Sequence, residues 1–181
     1  MNVCDGFGGN NRDAVKVTRL IERLGFRHTG SSAYTALQCI DKVRSKERLT
    51  AHRVPTPDYQ VFTQPGGSFR LGFPAIVKPA LDDGSIGINA RAIVTDEAAL
   101  QDQVAYVTGQ LKQPALVEAF IPGRELSVSL WGNRHIEVLP ITEQDYSRIK
   151  DPLKHYLSYE AKWDPGSEFF HTIPARCPAA L

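Results

Sequence analysis

The sequence has few of the features that mark secreted, membrane-spanning or charge-driven binding proteins. Its 181 residues include three cysteines, Cys4, Cys39 and Cys177. They are odd in number, widely spaced and never arranged as Cys-x-x-Cys, so neither a disulfide framework nor a zinc site is indicated. Long hydrophobic runs are missing: stretches such as Phe73-Pro74-Ala75-Ile76-Val77 fall far short of the roughly 20 apolar residues of a membrane helix, and no basic-then-apolar leader opens the chain. An excess of one charge is missing too. With 21 Lys and Arg against 20 Asp and Glu, the chain is not expected to grip nucleic acid or a membrane surface by bulk charge. What it does have is 42% hydrophobic residues, enough for a chain of this length to bury roughly 70% of its unfolded surface. The expectation is a soluble globular protein of a cytoplasm-like compartment.

The near-neutral total conceals an asymmetry. Residues 1–54 carry ten Lys and Arg against five Asp and Glu, a net of +5, and residues 55–181 carry eleven against fifteen, a net of −4. Much of the basic excess lies in Asp41-Lys42-Val43-Arg44-Ser45-Lys46-Glu47-Arg48. On a helix this alternation reads either as a solvated face or as an anion site with one lysine turned into a cleft, and spacing alone does not say which basic residue turns inward.

Hydrophobic periodicity predicts a helix over 12–24, with Ala14, Val17, Leu20, Ile21 and Leu24 on one side and Gly25 as its stop. Ser31 and Ser32 offer caps for a second helix carrying Ala33, Ala36, Leu37 and Ile40, and a basic third one runs to about His52. Val54-Pro55-Thr56-Pro57 must be extended, because proline disfavours helix in the residue before it. Beyond this linker, Tyr59–Thr63, Ala75–Lys78, Ala115–Glu118, Glu125–Trp131 and His135–Ile141 read as strands, the last two joined at Gly132-Asn133-Arg134, and Thr95–Val107 reads as a helix closed by Gly109. Strand-strand-helix-strand-strand-strand is not the alternation of a doubly wound fold. The reading is an α+β protein with a mixed or antiparallel sheet: a helical piece over 1–54 and an α+β domain over 55–181.

Three segments could carry chemistry. In Ile76-Val77-Lys78-Pro79-Ala80-Leu81-Asp82-Asp83-Gly84-Ser85-Ile86-Gly87-Ile88 a strand delivers a lysine, and a Gly-Ser-x-Gly turn follows in which amides can converge and a hydroxyl is added. Converging amides plus an ammonium suit a polyphosphate; an ordinary hairpin, with a tight Asp83-Gly84 turn and an exposed lysine, fits the same residues. If it grips phosphate, 82–88 should be mobile and unpacked, its two aspartates without buried partners. The nucleotide fingerprints do not decide, since Gly-x-x-x-x-Gly-Lys-Ser/Thr is absent and Gly6-x-Gly8 lacks its third glycine. In Leu116-Val117-Glu118-Ala119-Phe120-Ile121-Pro122-Gly123-Arg124-Glu125 two carboxylates bracket an apolar hinge on which a flat base could lie, or they are simply exposed. In Tyr156-Leu157-Ser158-Tyr159-Glu160-Ala161-Lys162-Trp163 the lysine is a phosphate ligand on a mobile loop or an aliphatic cover over aromatic rings.

The order of these segments resembles the central region of D-alanine:D-alanine ligases in the ATP-grasp superfamily. Lys78-Pro79 with Gly84-Ser85-Ile86-Gly87, then Val117-Glu118 with Pro122-Gly123-Arg124-Glu125, then Tyr159-Glu160-Ala161-Lys162 carry the resemblance. Phe7-Gly8-Gly9-Asn10-Asn11-Arg12, His28-Thr29-Gly30-Ser31, Asp41-Lys42 with Ser45-Lys46, and Val54-Pro55-Thr56-Pro57 extend it over nearly the whole chain. The resemblance implies an ATP-grasp central, nucleotide-clamping subdomain over 55–181, preceded by helices of the family's N-terminal domain. It implies that Lys42 and Lys78 contact ATP phosphates, that Gly84, Ser85, Ile86, Gly87 and Ile88 form the phosphate-covering loop, and that Glu118, Phe120 and Ile121 hold the adenine. Glu125 would hold the ribose and Lys162 a terminal phosphate, with Lys162 and Ser85 the groups acting on the transferring phosphoryl. The implied reaction activates a D-alanine carboxylate as an acyl phosphate for attack by a second amine, with ATP and magnesium, for peptidoglycan precursor synthesis in the cytoplasm. The partners are ATP and D-alanine or a similar amino acid, with no nucleic acid and no membrane, and the family tends to dimerise.

Departures accompany the match. Gly84 stands where many members carry a second serine, and Trp163 where many carry tyrosine. The family's later Asp and Glu-x-Asn metal ligands find no counterpart, since no Glu-x-Asn occurs in these residues. The chain thus resembles an internal fragment or truncated copy, its metal ligands are expected outside it, and alone it is expected to lack ligase turnover. Another ATP-grasp carboxylate–amine ligase, or a non-catalytic nucleotide-binding remnant, would carry the same segments.

Overall fold

The computed structural model describes residues 1–4, 6 and 11–178, so the expected Phe7–Asn10 segment lies outside the described residues. Two compact units emerge, Met1–Phe120 and Ile121–Leu181. The boundary expected at 54 falls inside the first, so the helical piece shares a unit with the first sheet.

Side-chain caps start three of the four described α-helices of the first unit; the first has none. A single 3-10 turn, Asn11–Asp13, leads into α1 (Ala14–Arg23). The Ser32 hydroxyl accepts from Thr35 N to start α2 (Ala33–Ile40). One extended residue, Asp41, then ends α2 and caps α3 (Lys42–Ala51), its carboxylate accepting from Val43 N and Arg44 N. Removing such a cap costs about 1 kcal/mol. Strands β1 (Tyr59–Phe62), β2 (Ala75–Pro79), β3 (Ile93–Val94) and β4 (Ala115–Ala119) form one antiparallel sheet in the order β1-β4-β2-β3, with Ile76 opposite Glu118 and Lys78 opposite Leu116. Between β3 and β4, α4 (Glu97–Ala105) is capped by Asp96. Its expected stop at Gly109 is overrun by a π-helical turn, Tyr106–Gln110, which ends where Leu111 N donates to Tyr106 O at 3.3 Å.

Alternation in β2 decides what each face of the sheet meets. Ala75, Val77 and Pro79 are buried, while Ile76 and Lys78 point the other way. The first face joins Phe62, Val94, Leu100, Val104, Val107, Ala115 and Val117 in the core, where each large side chain is worth about 1.5–3 kcal/mol of burial. The second face, with Lys78 and Glu118, receives α3, whose Lys42 N donates to Ala80 O at 2.9 Å. A helix bearing lysines is thereby laid against a strand pair bearing a lysine and a glutamate.

In the second unit, β5 (Leu126–Ser127), β8 (Thr142–Gln144) and β9 (Ala175–Arg176) form a three-stranded sheet, and β6 (Leu130–Gly132) with β7 (Ile136–Val138) forms a separate hairpin. The expected strand Glu125–Trp131 is split between the two sheets, as β5 and β6, and the expected His135–Ile141 is shortened to β7, with β8 beginning only at Thr142. Pro140 has no N–H to donate, so the ladder cannot run on from β7 into β8. Two one-turn helices were not expected: α5 (Tyr159–Trp163), capped by Ser158, and α6 (Glu168–Thr172), capped by Ser167.

Candidate functional site

In the first unit the chemistry gathers around Glu118. Its side chain is 8% exposed, and both oxygens are taken: Lys46 Nζ lies 2.5 Å from Oε1, and Lys78 Nζ contacts Oε2. Burial alone would raise this carboxyl. The Lys78 charge, with hydrogen bonds from Lys46 and Lys78, outweighs that and holds it below the ordinary carboxylate range. Lys46 also donates to Thr56 Oγ1 at 2.7 Å and lies 5.1 Å from the centre of the Tyr59 ring.

Lys42 enters the same face from the first turn of α3. Its ammonium donates to Pro79 O at 2.9 Å and to Asp82 O. Burial, then the nearby Lys78 charge, lowers its pKa from 10.5 to about 8, while Asp82, Asp83 and Glu118 act in the opposite direction. Three lysines thus face three carboxylates. The cluster is not an excess of positive charge awaiting an anion, and an anionic ligand gains by taking lysines from their present partners.

The loop after β2 is folded as successive tight turns. Gly84 (φ 57) and Ser85 (φ 63) are both left-handed, and Ile86 N donates to Asp83 O at 3.0 Å, as in a type I′ turn. Gly87 (φ 74) then closes a second turn, in which Ile88 N donates to Ser85 O at 2.9 Å. The hairpin reading is met in part. β2 and β3 do pair, with Ala75 opposite Val94, but the ladder stops well short of the Asp83-Gly84 turn. The expectation of an unpacked loop is not met: Ser85 is 8% exposed, and a Cβ on Gly87 would stand 2.5 Å from Pro79 Cγ and 2.6 Å from Leu111 Cδ1. Nor does Asp82 lack a partner. Gln113 Nε2 donates to Asp82 Oδ2 at 2.7 Å, and Gln113 Oε1 accepts from Leu81 N at 3.1 Å.

Of the residues expected at the site, the first unit brings together Lys42, Lys78, Glu118 and the base of the Gly84–Gly87 loop. Phe120 ends that unit half-buried, its N–H donating to Pro74 O at 3.1 Å. Sequence reasoning gave no role to Lys46 or Gln113. Lys46 had a signal, for it is four residues after Lys42 and shares its helix face; Gln113 had none.

In the second unit Ile121 is exposed. Glu125 accepts from the Tyr146 hydroxyl. Burial, then that hydrogen bond, raises the Tyr146 phenol. The Tyr146 ring stacks on His155 with centroids 5.1 Å apart. Neighbouring Arg124 is bidentate to Glu143, at 2.7 and 3.1 Å, which draws the Glu143 carboxyl down. Lys162 is exposed, on a helical turn rather than a loop. Within the same turn, Glu160 Oε2 is buried with no hydrogen-bond partner. Tyr156 is raised to about 12 by burial and then by the Glu160 charge.

Comparison with known proteins places these elements in a lineage. An uncharacterized protein, y4sG, of Sinorhizobium fredii (strain NBRC 101917 / NGR234) is 35% identical over 99% of this chain and 52% of its own length. The D-alanine–D-alanine ligase of Desulforudis audaxviator (strain MP104C) is 35% identical over 90% of this chain and 52% of its own. The chain therefore spans about half the length of these relatives. Among solved structures, the D-alanine–D-alanine ligase of Bacillus anthracis aligns with 78% of this chain and 43% of its own, at 26% identity and a TM-score of 0.62. The same enzyme complexed with ATP aligns with 98% of this chain and 49% of its own at 21% identity and a TM-score of 0.64, a likeness of fold alone. The α+β architecture is that of the ATP-grasp D-alanine ligases. The family described as D-ala D-ala ligase C-terminus matches residues 54–181, from the linker through the sheet, the loop and the whole second unit; the chain belongs to that family.

Proposed function

We propose that this chain is the nucleotide-gripping portion of an ATP-dependent ligase that joins a D-alanine carboxylate, or that of a similar amino acid, to an amine, for peptidoglycan precursors in the cytoplasm. The observation that supports it most is the delivery of Lys42 and Lys78, from α3 and β2, to one face of the sheet at the root of the Gly84–Gly87 turns. In this reading both ammoniums grip phosphate oxygens, and the amides of Gly84–Ile88 with the Ser85 hydroxyl cover them. Glu118, Phe120 and Ile121 serve the base, Glu125 the ribose, and Lys162 the terminal phosphate.

Chemically, a carboxylate oxygen attacks the γ-phosphorus, the bond to the β–γ bridging oxygen breaks and ADP leaves. An amine then attacks the acyl carbon, inorganic phosphate departs and the amine gives up a proton. Such transfers need positioning and charge more than covalent help. Magnesium is the family's expected metal, but the described residues contain no cluster of three or more His, Cys, Asp or Glu that could hold it, so no step is assigned to a metal. No helix among the described residues is long and apolar enough to cross a membrane.

Titration calorimetry of the chain with ATP tests the reading. Binding weaker than micromolar is expected, and weaker still in Lys78→Ala. Equal affinity in the variant would make Lys78 an ordinary strand-end charge.

A further inference from the structure

The two lysines that hold Glu118 are not equivalent. Lys46 has a side chain 6% exposed, and its ammonium is already divided among Glu118 Oε1, Thr56 Oγ1 and the Tyr59 ring. Buried and fully engaged, it is poorly placed to touch a ligand. Lys78 is 22% exposed, and its carboxylate contact is with the other oxygen, Oε2. A phosphate can therefore compete for Lys78 but not for Lys46. If Lys78 were the sole counter-ion, its departure would strand a buried carboxylate, which costs several kcal/mol or forces a proton onto it.

We propose that Lys46 is a positioning residue, the resident counter-ion that keeps Glu118 ionised and in place while Lys78 leaves it for a nucleotide phosphate. The same exchange frees Oε2 to accept an N–H from the ligand. This rests on the nucleotide reading and adds to it a reason for a lysine that never meets the nucleotide. It also reconciles a glutamate expected to face a base with one found in two ion pairs: the pairs describe the protein before the exchange.

The consequence is a proton linkage. Glu118 faces Lys46 and Lys42 from α3, Lys78 from β2 and the Tyr59 ring from β1, with Asp82 and Asp83 beyond Lys42. In Lys46→Met, free protein still pairs Glu118 with Lys78, but the complex leaves it unpaired, so binding takes up a proton and lower pH favours it. Calorimetric ATP affinities for wild type, Lys46→Met and Lys46→Arg would be compared across neutral and mildly acidic pH. The ratio of variant to wild type cancels titration of the ATP phosphates and of Lys42. Lys46→Met is expected to bind about tenfold more weakly at neutral pH, equivalent to about one pKa unit at Glu118, with the gap closing as pH falls; Lys46→Arg is expected to restore the wild-type profile. Weakening by one constant factor at every pH, or no weakening, would overturn the inference while leaving the nucleotide reading intact. Absence of ATP binding in the wild type would overturn both. Should Lys46→Met not fold, the carboxyl carbon-13 shift of Glu118 in ATP-saturated wild type decides: an ionised carboxylate is expected, and protonation on binding would overturn the proposal.

Discussion

Replacing Glu118 with alanine isolates what the buried cluster contributes to stability. The change leaves Lys46 charged at 6% exposure, with the Thr56 hydroxyl and the Tyr59 ring as its remaining company. Removing one partner of a buried pair costs about 3–5 kcal/mol, because the survivor is left uncompensated. Lys78, at 22% exposure, can turn to water and adds little, so the lower end, about 3 kcal/mol, is the expectation. For a chain of this length that lowers the midpoint of thermal unfolding by about 10 °C. Lys78→Met should cost no more than about 1 kcal/mol, because Glu118 keeps Lys46. The double variant Lys46→Met/Glu118→Leu should recover most of the loss, since an apolar pair needs no counter-charge. The acid limb has a definite sign. A carboxyl depressed in the fold contributes fully above its unfolded pKa, about 4.3, and that contribution is lost as pH falls through the lower folded value. Urea unfolding followed by circular dichroism measures all three variants. A Glu118→Ala chain within 1 kcal/mol of wild type, or a Lys78→Met chain damaged as much, would refute the assignment of a buried, asymmetric ion-pair cluster.

Two further outcomes are expected. Gly87→Ala puts a Cβ at 2.5 Å from Pro79 Cγ on a residue with φ of 74; a loss of about 1–3 kcal/mol is expected, with faster amide exchange across 80–92, measured by hydrogen exchange. Lys42, at about 8, carries its charge below that pH and sheds it above. ATP affinity should therefore fall as pH rises beyond about 8, and Lys42→Arg, whose charge persists, should flatten the calorimetric profile.

The parts of the fold legible in the sequence are those written in local rules. Ser32 announced a helix start, and β1, β2 and β4 followed from β-branched runs between turn residues, whereas the two-residue β3 and the caps of Asp41 and Asp96 were not singled out. Lys78 was legible as a candidate because it ends a predicted strand ahead of a glycine turn, and Lys42 only through the family resemblance, since spacing did not say which basic residue of its helix turns inward. Their setting was not, because it depends on contacts between residues distant in sequence. Glu118 draws its cations from a helix and a strand, and Asp82 meets Gln113 from beyond the π-helical turn, pairings that spacing cannot express. The second unit was less legible. Its strands are two or three residues long and change partners at Pro140, and its one-turn helices rest on single serine caps that also fit a loop.

The central claim, that α3, β2 and the turns over 83–88 form a phosphate-gripping face, is tested most directly by nuclear magnetic resonance of the nitrogen-15-labelled chain titrated with ATP. Saturable shifts are predicted at the amides of Gly84, Ser85, Ile86 and Gly87 and at the Lys42 and Lys78 ammoniums, with saturation displaced to higher ATP in Lys78→Ala. Shifts confined to residues away from that face, or no shift at millimolar ATP, would contradict it.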